Sequence, residues 1–137
     1  MRSLRTRGIG VVLVALLTLA GCGESRERSL CSQYDDFREA AAQVQELDPA
    51  TATSDDVRAI ADDVRDELSQ LQAASDGVYD SAISNLRASL AVLRQTAVDL
   101  PPDDLDLARA LIRDAFEDVL VHYAVLVQRL DVACETN

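Results

Sequence analysis

Lysine and tryptophan are absent from this chain, and histidine and methionine occur once each, as His122 and Met1. Each absence closes off a chemistry. With no tryptophan, and only two phenylalanines and three tyrosines in 137 residues, an aromatic platform for sugars has no material. Any imidazole base, metal ligand or haem ligand has to be His122. There is no C-x-x-C-H for haem attachment and no G-x-S-x-G elbow for a serine hydrolase. Glycine-rich phosphate loops and dinucleotide fingerprints are missing too, as are the Glu-x-x-His pairs of di-iron bundles. The sequence thus reads as a non-enzymatic protein without a cofactor.

Negative charge, in contrast, is plentiful. Twenty-four acidic residues face 13 arginines, for a net charge of −11. Such a surface is repelled by nucleic acid and by anionic lipid headgroups, so no nucleic-acid partner is expected. The acidic residues crowd at 62–67 and 103–106 but lack the D-x-D-x-D-G spacing, with a distant Glu, of an EF-hand loop. Helix capping and dipole terms account for acidic helix starts. Arg58–Asp62 and Arg113–Glu117 have the spacing of surface ion pairs.

The first 22 residues are built differently. Arg2, Arg5 and Arg7 precede an apolar run over 9–19, too short for the roughly 20 residues that span a bilayer. Charge followed by a short apolar run fits an export signal. The run ends in Leu19-Ala20-Gly21-Cys22, which resembles the lipobox of bacterial lipoproteins. That resemblance implies cleavage before Cys22 by signal peptidase II and acylation of Cys22, with palmitate-type chains holding the protein on the outer face of the cell membrane. No Arg-Arg pair precedes the run, which points to the general secretory route. The division expected is a signal peptide over 1–21, a lipidated N-terminus and short polar tether over 22–29, and a helical domain over 30–137. An extended tether of that length reaches about 25 Å. Losing 1–21 removes three arginines and no acidic residue, taking the net charge to −14.

Assigning Cys22 to lipid leaves Cys31 and Cys134, an even pair in an oxidising compartment. A disulfide between them is expected, closing a loop of about 100 residues and contributing about 4–5 kcal/mol on the chain-entropy model. A redox or metal-binding thiol pair is the alternative, but there is no C-x-x-C and no histidine near either cysteine.

Apolar residues three and four apart predict four helices and no strand. The first spans 29–47, with Leu30, Tyr34, Phe37, Ala41 and Val44 along one face, and ends at Asp48-Pro49. The second opens at Ser54 as N-cap and carries Val57, Ile60, Val64, Leu68 and Leu71. Asp76-Gly77 marks a turn, unless one kinked helix runs through it. The third carries Tyr79, Ile83, Leu86, Leu90, Leu93 and Ala97 and stops before Pro101-Pro102. The fourth runs from about 103 to 133 through Leu105, Ile112, Phe116, Val119, Tyr123, Leu126 and Leu130. Short connections predict an all-α fold, an antiparallel up-down-up-down four-helix bundle. In that topology the start of the first helix and the end of the fourth share one end, where a Cys31–Cys134 bridge would have to be.

The fourth helix also carries Leu107, Leu111, Val121 and Val125 away from its main stripe, interleaved with Asp114 and Asp118. A face mixing aliphatics with carboxylates suits a partner surface. Asp114, Asp118 and His122 lie on one side of this helix and are weak candidates for a metal, against the plainer reading of a solvated Asp–His contact. The leading expectation is a membrane-anchored interaction or adaptor module that recognises another envelope protein or a second copy of itself. The alternative is a carrier of a small apolar ligand or metal ion within the bundle.

Overall fold

The computed structural model describes residues 21–135, and these form four helices with no strand among them. The helices are α1 (Gly21–Glu46), α2 (Ser54–Ala74), α3 (Asp80–Val98) and α4 (Leu105–Cys134). Each packs on the next in sequence order, and the ring closes from α4 back to α1. This is the expected antiparallel four-helix bundle. The export signal expected over 1–21 lies outside the described residues save for Gly21, as does the side chain of Cys22.

Side-chain contacts fix the direction of each helix. Arg26 near the start of α1 pairs with Asp76 in the α2–α3 turn at 3.0 Å. Cys31 is bonded to Cys134 across 103 residues, with Cα atoms 5.6 Å apart. The start of α1, the α2–α3 turn and the end of α4 therefore share one end of the bundle. The α1–α2 and α3–α4 connections lie at the other.

The core is aliphatic. Leu68, Leu71, Ile83, Leu90, Leu126 and Leu130 are fully buried, together with Phe37. Burial of each such side chain contributes about 1.5–3 kcal/mol, which is what holds helices of ordinary propensity together.

Local chemistry sets the helix ends, and several differ from expectation. Thr53, not Ser54, caps α2: its Oγ1 accepts from the Asp56 backbone N–H at 3.1 Å, and its own N–H donates to Asp56 Oδ2 at 3.1 Å. This reciprocal box satisfies two donors where Ser54 would satisfy one. Between α2 and α3 the chain breaks outright, with Asp76 at φ 50° and Gly77 at φ 85°. That excludes a single kinked helix. Gly77 is the residue that makes the turn inexpensive, since a side chain at its φ would be strained. Tyr79 is the N-cap of α3 rather than a residue inside it. Asp104 caps α4 by accepting from the Leu107 N–H at 3.0 Å. Leu105, expected in the core, precedes the point where α4 meets its neighbours and is largely exposed.

The largest correction concerns 22–29. These residues were expected as an extended tether but are helical and continuous with α1. Glu24, Arg26, Glu27 and Arg28 are good helix formers and no proline interrupts them. The segment therefore rises about 12 Å rather than reaching about 25 Å.

Candidate functional site

The four aliphatics singled out on α4 are all exposed: Leu107 by 48%, Leu111 by 41%, Val121 by 60% and Val125 by 41%. The core side of the helix is a separate stripe, through Ala108, Ile112, Ala115, Val119, Leu126 and Leu130. Asp114 and Asp118 lie between the exposed aliphatics and face solvent with them. In order, the six positions are 107, 111, 114, 118, 121 and 125. The intervals alternate between four and three, the spacing of a helix-pairing seam. Among the described residues nothing packs over this seam, whose four aliphatics stay exposed.

Why α4 keeps this second stripe outside follows from its neighbours. Asp131 and Tyr123 turn toward α1, where Tyr34 Oη donates to Asp131 Oδ1 at 2.5 Å and the Phe37 and Tyr123 rings stand 5.7 Å apart. The seam lies on the opposite flank, at 100° per residue nearer the α3 side. It is too far round the helix to reach the core, and among the described residues no further helix covers it.

The α3 surface beside it is unusual for so acidic a chain. After Asp80, every exposed residue of α3 is uncharged. Its two arginines turn the other way, toward α2: Arg94 Nε lies 3.1 Å from Asp62 in an off-axis ion pair, and Arg87 donates to Ser69 Oγ at 3.3 Å. Negative charge collects instead between α1 and α2, where Asp36, Glu39, Asp63, Asp66 and Glu67 line an open groove of about 440 Å³. The two faces of the bundle therefore differ in kind.

The metal candidates are only loosely gathered. His122 Nε2 stands 3.7 Å from Asp118 Oδ1, beyond hydrogen-bonding distance, and both side chains are solvated. Among the described residues no three His, Cys, Asp or Glu side chains converge as a metal site would require. The expected surface pairs are rearranged: Arg58 bonds Asp55, Asp62 is shared by Arg65 and Arg94, and Arg113 and Glu117 form no ion pair.

Between α1 and α4 a cleft opens over Val64 and Leu86, lined by Ala41, Val44, Val119 and Tyr123. It measures about 10 Å³, room for one water at most. The cleft exists because α1 and α4 are the neighbouring pair that pack least on each other. Near it, burial raises the phenol of Tyr123 above its ordinary value. Burial, reinforced by Asp131, raises that of Tyr34 further. Neither tyrosine is poised for proton transfer near neutral pH. Sequence reasoning missed the Tyr34–Asp131 bond, since nothing in the spacing links positions so far apart.

Among the described residues no helix is long and apolar enough to cross a membrane. Compared with protein-family models, curated proteins and solved structures, the chain matches none.

Proposed function

We propose that this protein is a lipid-anchored interaction module of the cell envelope, held by Cys22 at the outer face of the membrane and engaging a partner through α4. The observation that carries the reading is the exposed seam of Leu107, Leu111, Val121 and Val125 on a helix otherwise packed into the core. Leaving four aliphatics in water on one flank forfeits burial energy that an ordinary surface of Glu and Arg would not.

The anchor rests on the lipobox resemblance at Leu19-Ala20-Gly21-Cys22. In this reading the disulfide end of the bundle faces the membrane, because the helix that begins at Gly21 leads directly into it. The connections at 47–53 and 99–104 then point outward. The α4 seam runs along the side of the bundle, between the two ends. The carrier alternative draws no support from the interior cleft, which at about 10 Å³ is smaller than any apolar ligand.

A photo-crosslinking residue at position 111, in cells of the native host, tests the module. A discrete crosslinked species is expected, and it should disappear when Val121 and Val125 are both replaced by Glu while helicity is retained. A wild-type chain that crosslinks to nothing overturns the reading. The anchor has its own test: Cys22→Ala should remove the acyl mass from the N-terminal peptide and release the protein from the membrane fraction.

A further inference from the structure

The turn between α2 and α3 lies at the disulfide end of the bundle and carries an apolar tip. Val78, which follows Asp76-Gly77, is exposed by 74%, more than any other large aliphatic among the described residues. It is held in place by the turn. Its N–H donates to the Ser75 carbonyl at 3.2 Å, and the Asp80 N–H donates to the Gly77 carbonyl at 3.2 Å. The carboxylates on either side have partners: Asp76 pairs with Arg26 at 3.0 Å, and Asp80 accepts from Gln72 Nε2 at 3.0 Å.

Arg26 also sets the height of this turn. α1 is helical without a break from Gly21, so Cys22 and Arg26 are about 6 Å apart along its axis. The contact of Arg26 with Asp76 puts the turn about level with Arg26. Acyl chains on Cys22 lie in the hydrocarbon, with the residue itself at the boundary with the headgroups. The polar layer beyond that boundary is about 5–8 Å deep on each side of a bilayer. With α1 upright, the turn falls at the depth of the headgroups. Cys31 then stands about 14 Å from the boundary, and Val98, at the far end of α3, about 27 Å beyond the turn.

We infer that the α2–α3 turn is a second membrane contact, with Val78 seated among the lipid headgroups beside the anchor, so that the bundle stands upright on the bilayer. This rests on the lipid anchor proposed above. The occupant is a lipid surface, because the helix that carries the anchor leaves so little height beneath the turn. The headgroups it suits are zwitterionic. A chain with a net charge of −14 once 1–21 are lost is repelled by anionic ones. Val78 gains burial there without an ionic attraction, and the neighbouring Asp76 arrives already paired with Arg26. In this posture the α4 seam runs along the membrane normal, clear of lipid and open to a partner from the side.

The test uses the full acylated chain in phosphatidylcholine nanodiscs, with an environment-sensitive fluorophore placed through Val78→Cys, Val98→Cys or Val125→Cys in turn. With Cys22 acylated and Cys31 bonded to Cys134, the introduced cysteine is the single free thiol. Emission from position 78 should shift to the blue and be lost to nitroxide-labelled headgroups. Positions 98 and 125 are also exposed and should keep the emission of a label in water. Emission from position 78 that matches position 98 overturns the inference. So does quenching at position 125, which would show the bundle lying on its α4 seam. Mass spectrometry of the N-terminal peptide separates the two readings. If the acyl chains are present and position 78 is in water, the anchor stands and the turn contact falls. If the acyl chains are absent, the anchor and the contact fall together.

Discussion

Tyr34 donates its phenolic hydrogen to Asp131 across the gap between the first and last helices, 97 residues apart in sequence and 2.5 Å apart in space. The pair lies one turn inward from Cys31–Cys134, three residues on from each cysteine, so two unlike links close the same seam. Further along, the Phe37 and Tyr123 rings meet at 44°, and beyond them the helices leave the small cleft. The least packed interface of the bundle is the one with the strongest specific links.

Replacing Tyr34 by Phe keeps the buried ring and deletes the bond to a carboxylate. The expected loss is about 1.5–3 kcal/mol, because a hydrogen bond to a charged group is worth more than a neutral one. Urea denaturation of Tyr34→Phe against wild type measures it. An unchanged midpoint would show that water replaces the hydroxyl without cost.

The same tyrosine gives an alkaline signature. Its phenol ionises near pH 10 when unfolded and at higher pH when folded, chiefly because of burial. Its contribution is complete below pH about 10 and declines above it, since the unfolded chain then loses a proton that the folded one keeps. Stability should therefore fall as pH rises above about 10 in wild type. The slope should be shallower in Tyr34→Phe, with Tyr123 supplying part of what remains.

Removing the disulfide should cost more than any hydrogen bond. The loop it closes is 103 residues long, worth about 4–5 kcal/mol on the chain-entropy model. Because α1 packs on α4 so sparingly, the double change of Cys31 and Cys134 to Ser should expose their seam before the rest unfolds. Hydrogen exchange of α1 amides, with and without the bridge, would show it. Equal protection in the two forms would mean that packing alone closes the ring.

The two stripes of α4 should respond oppositely to truncation. Leu126 is fully buried, and Leu126→Ala should cost about 2–5 kcal/mol through lost burial and the cavity left behind. Val121→Ala and Val125→Ala should change stability by about 0.5 kcal/mol or less. Thermal melts of the three variants separate fold from surface.

The capping box at the start of α2 should be worth about 1 kcal/mol, read from the Thr53→Ala variant. The Thr53 hydroxyl, together with its backbone N–H, holds the carboxyl of Asp56 below its ordinary value. The stability this gives is present above pH about 4 and lost as pH falls through the lowered folded value. Thr53→Ala should therefore differ most from wild type at neutral pH and approach it in acid.

Much of this architecture was legible in one dimension. The apolar rows through Tyr34 and Phe37, Val64 and Leu68, Ile83 and Leu90, and Leu126 and Leu130 all reach the core, because one face of a helix repeats at a fixed interval. The cysteine pair followed from counting, and its agreement with an up-down-up-down order is a topological constraint. The seam on α4 was visible as a pattern of Leu107, Leu111, Val121 and Val125.

Tertiary structure alone decided what those patterns meant. The seam is exposed because, among the described helices, α4 packs on α1 and α3 alone, leaving one flank uncovered. Arg94 chose Asp62 from the neighbouring helix, since an antiparallel partner brings charges closer than the i,i+4 rule along one helix would. Residues 22–29 joined α1 instead of trailing as a tether, because helix propagation from an established helix is far easier than nucleation. Periodicity along one chain determines which face of a helix is apolar. Which neighbour covers that face depends on contacts between helices distant in sequence.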